Sequence, residues 1–514
     1  MRKEAERRYY SGRQRAVQPP DGDSTIRTPH STFRVLFVGL TVALSFGLAI
    51  TKVSSPDTWV HLSLGRWMFE NGRLPHTNLL SYTQPDRPTP DHQWLFQAGL
   101  YGVWRVAGID GATLVKAAIV AAAFAFALAT ARRKGADLVV AAAVVIAAVG
   151  AARFRFTLRP QVVGLLLLSV YLFVLERWRA GGTRGLLALL PLQVLWANTH
   201  GSAILGCGLV AAYAAAESVR ERVGVKSEIG NRKSGMVWLW TVALALVPLT
   251  LLNPHGAGIL SLPFTHAAKQ VAWELKDLLQ DRASIAWRDL GTRHLAFAIL
   301  AAIGLLSLVG SVVRRDVTEV GLFAGTLAAA LYSERFVDLF AIAAAPIAAR
   351  NLTDIFRKPL AAMDRRFLSC LGVATLFGLA VLGNACSDRT DPSGLGVAEG
   401  LFPEQELAFI QESHPTGNLF NEFEHGGYIY WRMRRPVFLD SRGELAYDMA
   451  YFRAYVDAVG ARTSLDRWRE LVERYGLAVA LVARPPLQAV LRSDDQWEQV
   501  FRGPVGAVFV RKLP

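Results

Sequence analysis

The residues best suited to chemistry stand in one short stretch, Ser55-Pro56-Asp57-Thr58-Trp59-Val60-His61, directly after the first long apolar run. Ser55 predicts a helix cap, Pro56 suits the first helical position, and Asp57 then lies in the first turn. His61 follows by four residues, which puts it on the same helix face as Asp57. Glu70 and Gly72 predict the end of this helix. A carboxylate held there serves as a base, whereas a plain first-turn acid only complements the helix dipole. His61 and Arg66 are neighbours suited to an anionic substrate. The same loop closes on Asp91-His92-Gln93-Trp94, where Trp94 reads as a headgroup anchor.

Two similar turns, Asn198-Thr199-His200-Gly201 and Asn253-Pro254-His255-Gly256, recur at the ends of apolar runs. Arg153, Arg155, Arg159, Glu334, Arg335 and Asp338 fall at the same kind of position. Arginine at a span end either snorkels to the interface or grips phosphate through its planar fork. Ionisable groups at such depth are costly and tend to mark function. There is no metal signature, no Gly-rich phosphate loop and no serine-nucleophile motif. A lone carboxylate with scattered histidines does not make a zinc site.

The elements that must position these residues are mostly membrane helices. The chain has 514 residues, 52% hydrophobic and 19% charged, with mean hydropathy +0.26. That composition excludes an ordinary cytosolic enzyme. Apolar runs at 34–53, 109–131, 136–152, 158–176, 184–203, 204–219, 236–253, 295–313, 318–332, 336–349 and 367–385 predict about eleven transmembrane helices. The run 94–107 reads as an interfacial helix within an outer loop, 54–108, or as part of a twelfth span. Lys and Arg number 26 in the N-terminal segment and alternate loops, against 14 in the opposite set, so the N-terminus is expected in the cytoplasm. The net charge of +14 is thereby explained without nucleic acid. Cys207 and Cys370 lie in apolar runs and read as small buried hydrophobes; with Cys386 they make no disulfide framework.

Residues 1–33 read as a basic, disordered cytoplasmic tail, and 34–385 as the membrane domain. Residues 386–514 hold 15 Lys/Arg against 18 Asp/Glu and read as a small extracytoplasmic α/β domain behind a linker at 386–400. Strands are predicted at Leu419–Phe423, Tyr428–Trp431, Pro436–Asp440, Val479–Val482 and Ala507–Val510. Helices are predicted at Glu404–Ser413 and Leu465–Tyr475. Asp440-Ser441-Arg442 after a strand is either a structural turn or, with Asn421 and Glu422, part of a lid over an acceptor.

The blocks SSPDTWVHLSLGRWMFENGRLPHTNLLSYT, DHQWLFQAGLYGVWRVAGIDG, RFRFTLRPQVVGLLLL, LQVLWANTHGSAILG, LLNPHG, SERFVDLFAIAAAP and NEFEHGGYIYWRMRRPVFLDSRGELAY span most of residues 54–512. Together they resemble bacterial polytopic proteins of the GT-C glycosyltransferase class, the polyprenyl-phosphate-dependent, mannosyltransferase-like enzymes. The resemblance implies a GT-C-like helical bundle in the bacterial inner membrane. It implies transfer of a hexose or pentose from a polyprenyl-phosphate-linked donor to an envelope glycan, lipid or protein acceptor at the outer face. The class's loop carboxylate maps onto Asp57, with His61 or His92 orienting it. Arg155, Arg159, His200 and Arg335 would contact donor phosphate. Asp91, Asn198, His255, Glu334, Asp440 and Arg442 would hold the acceptor or support the site. Members often pair acids in this loop, whereas here Thr58-Trp59 follow Asp57 and Gln93 stands where an acid is common. No cofactor is required on this reading, and a divalent cation, Mg2+ or Mn2+, stays open. A silent membrane scaffold and a lipid-linked glycan transporter or polymerase are the alternatives, although midspans almost free of charge disfavour transport.

Overall fold

The computed structural model describes residues 29–222, 232–262, 285, 294–310, 316–385, 392–413, 415–460 and 463–512. The tail expected at 1–33 lies, as far as residue 28, outside the described residues, as does Cys386; helix begins at Pro29. In chain order the helices of the apolar part are α1 (Pro29–Leu48), α2 (Asp57–Asn71), α3 (Trp94–Arg133), α4 (Leu138–Ala152), α5 (Gln161–Arg179), α6 (Leu189–Thr199) and α7 (Ile204–Arg222). They continue as α8 (Arg232–Thr250), α9 (Leu295–Gly310), α10 (Val317–Tyr332), α11 (Val337–Ile355), α12 (Arg357–Ala362) and α13 (Arg365–Ala385).

Among the described residues six helices are long and apolar enough to cross a membrane, and four more are apolar but shorter. Of the eleven segments read as spans, 184–203 is broken instead. It comprises a 3-10 turn (Thr183–Ala188), the short α6 and a second 3-10 turn (Gly201–Ala203). Helix α3 carries one non-helical residue, Gly108 (φ 64°, ψ −163°), a left-handed conformation that favours glycine. It separates 94–107 from the span that follows, as the short apolar run predicts.

Central and peripheral helices differ in burial. Windows in α4 and α11 are 72% buried inside the protein, whereas that of α13 is 22% buried. Helix α13 packs through glycine: a Cβ on Gly383 would lie 2.9 Å from the Gly150 Cα. Small residues let helix backbones approach where no water drives association. The outward face of α13 carries Cys370, which is exposed, and Cys207 is half-buried, so neither is the buried thiol expected. Midspan Lys116 is also accounted for, since its ammonium donates to the Thr51 hydroxyl at 2.7 Å and carbonyl at 3.2 Å.

At the far end of α5 from Arg159, roughly 28 Å away at 1.5 Å per residue, the basic residues are not simply solvated loop charges. Lys134 pairs with Glu176 and Glu319, both at 2.8 Å. Arg179 pairs with Glu217 at 2.9 Å and Asp316 at 2.5 Å, Arg220 with Glu217 at 3.2 Å, and Arg350 with Glu319 at 3.0 Å. These four cations and four carboxylates come from the ends of five helices and the lead into α10, and they tie that end of the bundle together.

The C-terminal part comprises α14 (Glu404–Ser413), β1 (Asn418–Asn421), α15 (Gly426–Met433), α16 (Met449–Val459), α17 (Leu465–Tyr475), β2 (Leu477–Val482), α18 (Pro485–Ser493), β3 (Trp497–Arg502) and β4 (Ala507–Arg511). The sheet order is β1-β2-β4-β3, with β1 and β2 parallel and the other pairs antiparallel. Its core is aromatic, built on Phe420, Phe438, Tyr455, Trp468 and Phe509. Two predicted strands are absent. Tyr428–Trp431 is helical within α15. Pro436–Asp440 makes only a single bridge, Ser81 to Val437, onto the loop at 72–93. Residues 392–398, within the expected linker, lie beside 50–53 through the Thr51–Ser393 and Val53–Val397 bridges. Arg153 is a tie here too, donating to the Leu48 carbonyl at 3.1 Å and the Ser393 hydroxyl at 2.7 Å.

Candidate active site

Helix α2 runs from Asp57 to Asn71, as the spacing predicts, and ends on Gly72 in the left-handed conformation (φ 64°). Its start differs from expectation. Ser55 makes no helix cap; its hydroxyl instead accepts from the Arg159 Nε. The same Nε lies 3.2 Å from the Asp57 carboxylate, and the Thr58 hydroxyl donates to the Leu158 carbonyl at 3.0 Å. The segment leading into α5 thus fastens the start of α2, and Asp57 with it, from the side.

The C-terminal part grips α2 from its other side. Trp59 meets Tyr428 edge-on at 4.9 Å between centroids, and Arg66 lies 4.2 Å over the Trp431 ring. Close approach requires glycine: a Cβ on Gly427 would fall 2.7 Å from the Val60 Cγ2, 3.1 Å from its nitrogen and 3.2 Å from the Pro56 carbonyl. Gly427→Ala is therefore expected to cost about 1–3 kcal/mol of stability through overpacking. A lower thermal midpoint in detergent checks this, and wild-type melting would show that α15 yields freely. Gly65 plays the same part towards α3, where a Cβ would meet the Gln97 carbonyl at 2.3 Å.

His61 is buried, with its ring edge-on to Phe96 at 5.4 Å. Burial lowers its pKa to about 4, with Arg159 and Arg442 acting in the same direction against Asp57. The ring is thus neutral at pH 7. It is a hydrogen-bonding group there rather than a cationic phosphate ligand, and its Nδ1 has no partner.

A cavity of about 250 Å3 opens beside it, lined by His61, Asp91, His92, Gln97, His255 and Arg442 among others. His92 and His255 face each other at 6.1 Å between ring centroids. Asp91 accepts from the Gln93 backbone N–H at 2.9 Å, and burial pushes its carboxyl above the ordinary range, opposed by that bond, by a hydrogen bond from Gln97 and by the charge of Arg442. Asp57 is not among the residues lining this cavity.

The arginines form a second group. Arg155 and Arg335 act electrostatically on His200 and on Asp338, and His61 adds to the field at His200. His200 accepts or donates at 2.6 Å with the Ser202 hydroxyl. The site thus has two parts, the cavity and the arginine group, with His61 between them and the Asp57–Arg159 pair beside it.

Other expected residues support from behind. The Asn198 carbonyl oxygen accepts from the Trp94 indole at 2.7 Å, and its amide donates to the Leu252 carbonyl at 2.7 Å. Asn253 donates to the Ala197 carbonyl at 2.7 Å and the His92 carbonyl at 3.1 Å. The two N-x-H-G turns are therefore locked together, which delivers one histidine to each part of the site. Glu334 holds His294 at 3.1 Å. Asn421, Glu422 and Asp440 do not form a lid: all three are buried. Asp440 grips Arg442 through bonds of 2.8 and 2.7 Å, and Arg442 alone of the four reaches the cavity. It also donates to the Asn78 side chain. The sequence did not single out Gln97, Asn78 or Gly427. A lone amide inside the apolar run WLFQAGL was the one available signal for Gln97.

Among the described residues no three His, Cys, Asp or Glu side chains gather as a metal-binding group. The Asp57 carboxylate is already engaged by a guanidinium.

The helical bundle, the helix after its first span and the appended sheet define a GT-C-like membrane glycosyltransferase fold. The archaeal oligosaccharyltransferase AglB from Archaeoglobus fulgidus, in complex with an inhibitory peptide and a dolichol-phosphate, matches with TM-score 0.57. Its identity is 11%, over 88% of this chain and 69% of that one. ArnT from Cupriavidus metallidurans bound to undecaprenyl phosphate matches with TM-score 0.51 and 13% identity, over 93% of this chain and 98% of its own. A further AglB structure is a complex with Zn and sulfate. No family model matches the chain, and no curated protein matches its sequence.

Proposed function

We propose that this protein transfers a sugar from a polyprenyl-phosphate donor to an acceptor hydroxyl at the outer face of a bacterial inner membrane. One observation carries this reading: at one end of a GT-C-like bundle, Asp57 and the arginine group stand next to a polar cavity. Arg155, Arg159 and Arg335 would bind the donor phosphate, the species whose negative charge grows as the bond to the anomeric carbon breaks. His200 and neutral His61 would supply hydrogen bonds beside it. Asp57 would take the proton from the acceptor hydroxyl as its oxygen bonds to the anomeric carbon. Polyprenyl phosphate leaves with the electron pair of the broken C–O bond. The Lys/Arg asymmetry supports an N-terminus in the cytoplasm and a site outside. Transport is disfavoured by the ion-pair network that ties the other end of the bundle.

Binding of undecaprenyl phosphate to purified protein tests the reading. Arg155→Ala and Arg335→Ala are each expected to weaken it about ten- to hundred-fold, the worth of a hydrogen bond to a charged group (about 1.5–3 kcal/mol). Wild-type protein that binds no polyprenyl phosphate would overturn the proposal.

A further inference from the structure

Arg442 is held so that one of its nitrogens is left over. Its Nε donates to Asp440 Oδ1 at 2.8 Å and its Nη2 to Asp440 Oδ2 at 2.7 Å, and Nη2 also donates to the Asn78 side chain. Nη1 has no acceptor among the described residues. The side chain keeps 12% of its surface open, and it lines the cavity beside His61. The grip on the guanidinium is itself braced. Asp440 is fully buried and accepts from the Tyr447 hydroxyl at 2.9 Å and from the Arg442 backbone N–H at 3.0 Å. Asn78 in turn donates to the Ala446 carbonyl at 3.0 Å. Supporting bonds of this kind fix a binding group before its ligand arrives.

Electrostatics give the ligand's sign. Asp440 does not line the cavity, so the ion pair presents its positive end there. That charge acts on both His61 and Asp91 across the cavity. Asp91 is the one acid among the lining residues, and burial pushes its carboxyl towards the neutral form. His61 is neutral at pH 7. Carboxylate and phosphate oxygens are the strongest partners open to a guanidinium N–H. The cavity, about 250 Å3, is below the roughly 300–1,000 Å3 of sites for drug-sized ligands, so it suits one charged sugar unit.

We propose that Arg442 binds a phosphate or carboxylate group on the acceptor, so that the cavity selects an acidic sugar unit over a neutral one. The inference rests on the glycosyl-transfer reading, in which donor phosphate lies with Arg155, Arg159 and Arg335. None of these three lines the cavity. The C-terminal part would thereby read the acceptor's charge, while α2 supplies the base for its hydroxyl.

Saturation-transfer NMR on the purified full chain tests this, with saturating undecaprenyl phosphate present to fill the arginine group. The probes are glucose 6-phosphate, glucuronate, glucose and inorganic phosphate. At least one of the two acidic sugars is expected to bind about tenfold more tightly than glucose. Arg442→Gln should weaken that binding about tenfold or more, the lower end of what a hydrogen bond to a charged group carries. Because Arg442→Gln leaves Asp440 uncompensated, Asp440→Asn/Arg442→Gln is measured beside it. A thermal midpoint near wild type shows that the double variant is folded, and it should lose the acidic sugar as well. The proposal is overturned if neither acidic sugar binds the wild type, if glucose binds as well, or if the acidic sugar binds only without undecaprenyl phosphate. These three results need no variant. Binding that survives in the double variant, or inorganic phosphate that binds as tightly as glucose 6-phosphate, overturns it too. A wild type that holds acidic sugars through Arg442 but no undecaprenyl phosphate would instead count against the donor-site reading and leave this one standing.

Discussion

Asp57→Asn is expected to lower sugar transfer by about 10²–10⁴-fold, the usual worth of a positioned general base. Binding of undecaprenyl phosphate should change little. The substitution keeps the shape and one oxygen for Arg159 Nε, which now sits 3.2 Å from the carboxylate. Magnitude separates the two roles open to this residue. A carboxylate that merely complements a helix N-terminus contributes about 0.3–1 kcal/mol, and a solvent-screened ion pair such as that with Arg159, partly buried at 18% and 30% exposure, adds about 1 kcal/mol or less. Such a residue, once neutralised, would slow transfer by less than about tenfold. A single-turnover assay with a polyprenyl-phosphate-linked sugar reads the difference directly. His61 offers no substitute base of higher pKa, because burial holds its ring at about 4. Because the His61 ring is already neutral between pH 5 and 8, the pH–rate profile in that window should keep its shape when His61 is replaced by Asn.

What the sequence discloses follows from range. The spacing of Asp57, His61 and Gly72 is local, and α2 obeys it at both residues and at the cap. Long apolar runs are local as well, so helix positions were largely legible. The partner of Asp57 was not, because Arg159 is a hundred residues away and its guanidinium could equally have snorkelled. Tyr428–Trp431 misled for a related reason. Aromatic and β-branched residues favour strands, but Tyr428 and Trp431, three apart, both face Trp59, which helical spacing allows. β3 escaped notice because it is an edge strand with mostly exposed residues and no clean alternation. The cavity was half legible. Three histidines on one side were visible, yet only packing shows which polar atoms lack partners.

Charges far from the site make the last and largest stability case. Lys134, Arg179, Arg220 and Arg350 counted towards orientation as loop residues, but each is an internal partner of a carboxylate. Arg179 is the hub, with Glu217 at 2.9 Å, Asp316 at 2.5 Å and Glu176 at 3.5 Å. Glu217 and Glu176 are 3% and 7% exposed, so water cannot replace the lost cation. Arg179→Met leaves one uncompensated negative charge among eight matched groups, at an expected cost of about 3–5 kcal/mol. It should lower the thermal midpoint sharply while leaving the geometry around Asp57 intact in any protein that remains folded. Adding Glu217→Gln to Arg179→Met removes the surplus charge and should recover part of the loss. If the double variant melts lower than the single one by the full cost of Glu217→Gln alone, the two residues are independent and the hub does not exist. Non-additive recovery is the expected result, since groups within one ion-pair network couple by about 0.5–3 kcal/mol. At this end of the bundle Lys134, Arg179, Arg220 and Arg350 are each matched by carboxylates, mostly from another element.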